Sequence, residues 1–207
     1  NRAITKVREI RSTSVKEATV DENNPSLVTV GIVPHWPNSG LGYIEPGAPR
    51  SEGVFKVGRF VEKPDEARAA EMIKKGALWN SGIFAWRVGD FLDEVRAVTP
   101  EIAPALKNIG PGDGGLQNFF ADVKSIAVDV GVLERSQNVE VVAGDFGWDD
   151  IGTWGALKRV RNPDELGNVI NGDGFALDST QNVVHAKDQT IVLYGVSDLV
   201  VVAKDGI

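Results

Sequence analysis

Leu27-Val28-Thr29-Val30-Gly31-Ile32-Val33 is an apolar, largely β-branched run with Pro25 shortly before it and Pro34 directly after it. Such a run suits a strand buried on both faces, the kind that sits inside a layered α/β core. Downstream, residues 34–49 are rich in Pro and Gly and read as a loop. Residues 54–61 predict a second strand running into Pro64. A helix follows, with Asp65 as N-cap and Gly76 as its stop. Residues 78–86 predict a third strand. Residues 91–132 carry a helical pattern broken at Pro100, at Pro104 and in the glycine-rich stretch 110–115, so several short helices are expected. Residues 139–142 return to strand, and Thr153 caps a helix reaching about Arg161. Upstream, Ala3, Ile4, Val7, Ile10, Val15 and Ala18 share one face of an amphipathic helix that ends at the polar stretch Asp21-Glu22-Asn23-Asn24-Pro25. Strands alternating with helices over residues 27–161 predict an α/β core around a mixed sheet.

The last forty or so residues have a different rhythm. Val169-Ile170, Phe175-Ala176-Leu177, Val183-Val184, Ile191-Val192-Leu193 and residues 199–202 are short apolar strands recurring roughly every eight residues, with Asn, Asp and Gly between them. That spacing fits a parallel β-helix or an antiparallel meander, and the period does not choose between them. The division expected is therefore residues 1–163 and an all-β domain of residues 164–207.

Composition narrows the function. The 207 residues are 42% hydrophobic and 25% charged, enough for a sizeable core. Cysteine is absent, which removes disulfides, thiolate metal sites and a cysteine nucleophile and suits a reducing compartment, so a cytoplasmic protein is expected. Two histidines cannot build an imidazole cluster. A net charge of −7 and a pI near 4.9 argue against nucleic acid or an anionic membrane as partner. No apolar run is long enough to span a bilayer. A small-molecule partner remains. The chain begins at Asn1, so it is expected to be a piece of something longer.

Three segments place polar groups where a bland fold would put apolar ones. In Phe60-Val61-Glu62-Lys63-Pro64 an acceptor and a cation stand together at a strand's carboxyl end, where α/β sheets hold ligands; a solvated strand end would look the same. In Leu78-Trp79-Asn80-Ser81-Gly82-Ile83-Phe84, Asn80 and Ser81 interrupt an apolar strand. A hydroxyl-rich ligand such as a sugar would satisfy them, and so would a bulge at Gly82 with the side chains bonded to nearby backbone. In Phe146-Gly147-Trp148-Asp149-Asp150-Ile151-Gly152-Thr153-Trp154, adjacent carboxylates could hold a hard divalent cation or could cap a helix. The stretch Gly110-Pro111-Gly112-Asp113-Gly114-Gly115 lacks the endings of a P-loop or a dinucleotide fingerprint and reads as a flexible surface loop. His35 and His185 stand isolated, in a loop and a strand respectively.

These segments, taken in order with Gly40-Leu41-Gly42-Tyr43-Ile44, resemble the sugar-nucleotide pyrophosphorylases, and within them the mannose-1-phosphate guanylyltransferase branch. The resemblance runs from about Leu27 to the C-terminus. It implies a Rossmann-like mixed sheet flanked by helices, followed by a small left-handed parallel β-helix whose free edges would allow a homodimer. It also implies transfer of a guanylyl group from GTP to mannose 1-phosphate, giving GDP-mannose and pyrophosphate with Mg²⁺. On this chain Gly42 and Tyr43 would lie against the sugar, Gly42 leaving room for it. Glu62 would accept from sugar hydroxyls, Lys63 would neutralise the sugar phosphate, and Asn80 and Ser81 would complete recognition. Lys63 and Asp150 are the expected catalytic residues, Asp150 as the Mg²⁺ ligand; Asp149 is given no role.

The family's Gly-Gly-x-Gly-x-Arg phosphate segment is not in residues 1–26. The chain thus carries the sugar-phosphate half of the site and is expected to be inactive by itself. The alternatives are a glucose-1-phosphate thymidylyl- or uridylyltransferase, which matches Phe-Gly-Trp-Asp-Asp-Ile-Gly-Thr-Trp less well, and a non-catalytic sugar-nucleotide-binding paralogue.

Overall fold

The computed structural model describes residues 27–110 and 113–207. The amphipathic helix expected over residues 3–18 lies outside them. The chain forms two compact units, Asn1–Gly147 and Trp148–Ile207.

The first unit is a mixed α/β fold. Its strands are β1 (Leu27–Ile32), β2 (Tyr43–Ser51), β3 (Val54–Val61), β4 (Leu78–Ala85) and β5 (Val139–Gly144). They pair in the cyclic order β1-β4-β2-β3-β5. Only β1 and β5 run parallel; the other pairs are antiparallel. The sheet is therefore mixed, as expected, but among the described residues its pairing is richer in antiparallel ladders than a doubly wound sheet. Between β3 and β4 lies α1 (Glu66–Lys74), where the Asp65 carboxylate accepts from the Arg68 amide at 2.8 Å and Gly76 follows at φ +83°. Both helix signals read from the sequence stand. Between β4 and β5 come α2 (Val88–Val98), a 3-10 helix (Ala103–Asn108), α3 (Asp113–Asp122) and a π-helical turn (Asp129–Leu133). This is the series of short helices that the prolines and glycines predict. The buried core joins strands and helices through Leu27, Ile44, Phe60, Leu78, Val95, Val132, Leu133, Val139 and Val141.

Two expectations need correction. The loop expected over residues 34–49 ends early, because Tyr43–Ser51 forms β2 against β3. The strand tolerates Pro46 and Pro49 because the ladder is irregular on either side of each proline. At Gly47 a Cβ would sit 3.2 Å from the Gly58 nitrogen and the Lys56 carbonyl, so two backbones meet there without side chains between them. The glycine-rich stretch expected to be a surface loop instead contributes the start of α3 at Asp113.

The second unit carries a 3-10 turn (Trp154–Ala156), α4 (Leu157–Val160) and strands β6 (Val169–Leu177), β7 (Val183–Tyr194) and β8 (Val200–Ala203). All three strands are parallel, with Val169 beside Val183 and Val183 beside Val200. An antiparallel meander is thereby excluded. Buried Asn168 and Asn182 tie the turns together: the Asn182 Nδ2 donates to the Asn168 Oδ1 at 2.9 Å, and the Asn182 Oδ1 accepts from the Leu199 amide at 3.0 Å. This unit begins at Trp148, ahead of the boundary expected at 164. Residues before 164 bind its strands and turns: Lys158 donates to the Gln181 carbonyl, and the Trp154 ring lies 5.2 Å from that of His185.

Candidate functional site

Strand register explains why three separate motifs meet. Tyr43 is opposite Val61 on one side and opposite Trp79 on the other, both antiparallel. One residue further along, Gly42 therefore lies beside Glu62 and Asn80. The Asn80 amide donates to the Gly42 carbonyl at 2.8 Å. A Cβ at Gly42 would stand 2.6 Å from the Glu62 Oε2, 3.2 Å from the Phe60 Cζ and 3.3 Å from the Asn80 Cβ. Glycine is needed there for close approach.

Glu62 is half-buried and its neighbour Lys63 is exposed, with 3.5 Å between the Lys63 Nζ and the Glu62 Oε1. Lys63 takes a left-handed φ of +45° before Pro64. Burial pushes the Glu62 carboxyl above its usual range, and Asp129 adds to the rise; Lys63 opposes it, and Glu134 raises it further. The chain's own field here has three acids to one lysine, rather than the positive site that an anionic substrate would meet from Lys63 alone.

Asn80 and Ser81 have partners within the fold, Ser81 through its whole hydroxyl and Asn80 through its Oδ1 and one of its two Nδ2 protons. The Ser81 Oγ donates to the Val30 carbonyl at 2.6 Å and accepts from the Ile83 amide at 3.1 Å. The Asn80 Nδ2 donates to Asp129 at 3.0 Å, and its Oδ1 accepts from the Gly82 amide at 3.2 Å and from the Thr29 hydroxyl at 3.3 Å. Gly82 sits at φ +70° in the irregular stretch where β4 passes β1. The bulge weighed from the sequence is the arrangement present. Among the described residues no buried side-chain polar atom lacks a partner. Tyr43 turns inward: it is fully buried, its hydroxyl accepting from the Asn38 amide at 2.8 Å and from the Trp79 indole at 3.0 Å.

Asp129 and Glu134 were not singled out by sequence reasoning. Each contacts a motif residue: Asp129 through Asn80, and Glu134 by accepting the Glu62 amide at 2.9 Å. They are five residues apart, and in an α-helix that spacing turns them about 140° away from each other. The π-helical turn removes most of that offset, with the Glu134 amide bonded to the Asp129 carbonyl at 2.9 Å.

In the second unit Asp149 forms a two-pronged pair with Arg159, at 2.7 and 2.8 Å, while Asp150 is exposed. Thr153 precedes the 3-10 turn without a side-chain cap bond. Among the described residues no cluster of three or more His, Cys, Asp or Glu could hold a metal. An exposed single carboxylate such as Asp150 fits a share in Mg²⁺, which takes one or two protein carboxylates and completes its shell with phosphate oxygens and water.

A family model described as nucleotidyl transferase matches residues 11–165, more than half of the 207-residue chain. The chain belongs to the nucleotidyl transferase family. Like it are a mannose-1-phosphate guanylyltransferase of Klebsiella pneumoniae, 35% identical over 93% of this chain and 43% of that protein, and the alginate biosynthesis protein AlgA of Pseudomonas syringae pv. tomato, 35% identical over 89% of this chain and 40% of that protein. This nucleotidyl transferase chain thus spans about two fifths of the curated relatives it matches. A crystal structure from Thermus thermophilus, described as a mannose-1-phosphate geranyltransferase, superposes with a TM-score of 0.82 at 36% identity, covering 97% of this chain and 59% of that one.

Proposed function

We propose that this nucleotidyl transferase chain holds the sugar-phosphate part of a mannose-1-phosphate guanylyltransferase, which joins mannose 1-phosphate to GTP and releases pyrophosphate. The observation that carries this reading is the register that puts Gly42, Glu62 and Asn80 side by side. A glycine without a side chain leaves backbone open to a ring, and an ionised carboxylate beside it accepts from ring hydroxyls. Lys63, exposed at the same strand end, meets the sugar phosphate. Ser81 and Tyr43, whose hydroxyls bond within the protein, shape the walls rather than touch the substrate.

The chemistry is attack of a sugar-phosphate oxygen on the α-phosphorus of GTP, with pyrophosphate leaving. Both reactants are anions, so the difficulty is repulsion rather than proton removal. The nucleophile is already ionised, and the protein's work is to orient it and to spread the developing charge. Lys63 neutralises the phosphate, while Glu62 and Asn80 fix the hexose. When bound, Mg²⁺ would supply divalent charge in addition to the single charge of Lys63, and Asp150 of the second unit is the carboxylate that would hold it. An ionised Glu62 accepts more strongly than a protonated one, so sugar binding weakens as pH falls through its raised pKa, at higher pH than an ordinary glutamate would dictate. The parallel strands of the second unit, joined by short asparagine-bonded turns, support reading it as a left-handed β-helix.

The test is pyrophosphate release by the complete protein with mannose or glucose 1-phosphate against GTP, UTP and dTTP, with and without Mg²⁺. Turnover with mannose 1-phosphate and GTP that requires Mg²⁺ is expected. Turnover restricted to glucose 1-phosphate with UTP or dTTP would overturn the substrate assignment.

A further inference from the structure

The strand-end motif and the bulged strand are each held from outside their own sheet by the same short element. The π-helical turn Asp129–Leu133 is fixed from below, since Val132 and Leu133 belong to the buried core and the Thr99 hydroxyl donates to the Gly131 carbonyl at 2.7 Å. Just beyond the turn, Arg135 is clamped by Glu101 at 2.8 and 2.9 Å. From this anchored base two carboxylates reach into the site. Asp129 takes the Asn80 amide group and so fixes which end of the side chain faces Gly82 and Thr29. Glu134 takes the Glu62 backbone amide, one residue before the left-handed Lys63. A non-glycine residue persists at positive φ only where its surroundings hold it, and the Glu134 bond is a hold at that point.

We propose that the π-helical turn is the positioning element of the sugar-phosphate site: Asp129 orients Asn80, and Glu134 sets the backbone from which the Glu62 carboxylate and the Lys63 ammonium project. Neither residue touches substrate; each acts through a residue that does. π-Turns of this kind occur frequently at functional sites, where the extra residue re-aims side chains. The two carboxylates also face Glu62, together with Lys63, and contribute to keeping its carboxyl above the ordinary range. The assignment rests on the sugar-phosphate reading above and names the residues that make it work.

The experiment is mannose 1-phosphate binding by calorimetry to the complete protein as wild type, Asp129→Ala, Glu134→Ala, Asp129→Asn and Glu134→Gln, across pH, with thermal melting recorded for each. The alanine variants are expected to bind about tenfold more weakly or worse, the loss typical of one bond to a charged group. The amide variants keep an oxygen acceptor and are expected to bind within about threefold of wild type at neutral pH. Their low-pH limb of binding is expected to move to lower pH, because each has lost one of the charges that raise the Glu62 carboxyl while the ionisation of the sugar phosphate is common to every sample. Wild-type affinity in both alanine variants would overturn the proposal and leave the function standing, as would an unmoved low-pH limb in both amide variants. Should the alanine variants fail to fold, the pH limb of the amide variants decides. Failure of the wild type to bind any sugar 1-phosphate would remove the function and this proposal together.

Discussion

Replacing Gly42 by alanine separates recognition from folding. The added Cβ would lie 2.6 Å from the Glu62 Oε2, against about 3.5 Å for resting non-bonded atoms, so the carboxylate must withdraw by about 1 Å. The carboxylate is the free end of a half-buried side chain and can do so by leaving its preferred rotamer, at roughly 0.5–1.5 kcal/mol. The Phe60 Cζ at 3.2 Å and the Asn80 Cβ at 3.3 Å need give only a few tenths of an ångström. Folding should survive, with the melting temperature lowered by a few degrees for a loss of about 1 kcal/mol. Binding should not, because a displaced carboxylate forfeits a charge-assisted bond to a sugar hydroxyl worth roughly 1.5–3 kcal/mol, a loss of about 10- to 150-fold in Kd. Calorimetric titration of Gly42→Ala with mannose 1-phosphate measures this directly. A folded variant that binds within about threefold of wild type would refute the argument that this glycine opens the sugar site.

Lys63→Ala should weaken sugar-phosphate binding and make it less sensitive to salt, because the ammonium supplies charge rather than packing; isotherms at two ionic strengths test this. Asn182→Ala removes bonds to Asn168, to the Val196 carbonyl and from the Leu199 amide, and should cost about 2–4 kcal/mol, read as faster amide exchange at Leu199. The Arg135 guanidinium holds the Glu101 carboxyl at about 2 from an ordinary 4.5. A lowered carboxyl pKa stabilises the fold above the ordinary value, and that contribution is lost as pH falls from there through about 2. In Arg135→Gln it should be missing at neutral pH, and its melting curve and that of wild type should converge as pH approaches 2.

What the sequence disclosed was whatever depends on neighbours in the chain. Asp65 and Gly76 bound α1 because capping is local, and residues 54–61 and 78–85 formed strands because their apolar runs and flanking prolines and glycines are contiguous. β2 was hidden because Pro46, Gly47 and Pro49 look like a loop unless the partner strand that accepts the irregular ladder is known. The meeting of Gly42, Glu62 and Asn80 rests on register, to which resemblance of the motifs pointed but which no single motif encodes. Asp129 and Glu134 escaped notice for a related reason: their spacing faces one way only in a π-turn, and nothing in Asp129-Val130-Gly131-Val132-Leu133 announces one. For Asn80 and Ser81 the sequence rightly flagged polar groups needing partners, and the fold supplied those partners itself.

The widened turn at Asp129–Leu133 also fixes how this segment responds to changes in length. Removing a single residue between Asp129 and Glu134 would let the backbone relax into ordinary α geometry with the two acids four apart, a net turn of only about 40°, so both would still share a face. The turn should therefore tolerate losing one residue better than gaining one, since a further residue would rotate every side chain beyond it by about 100°.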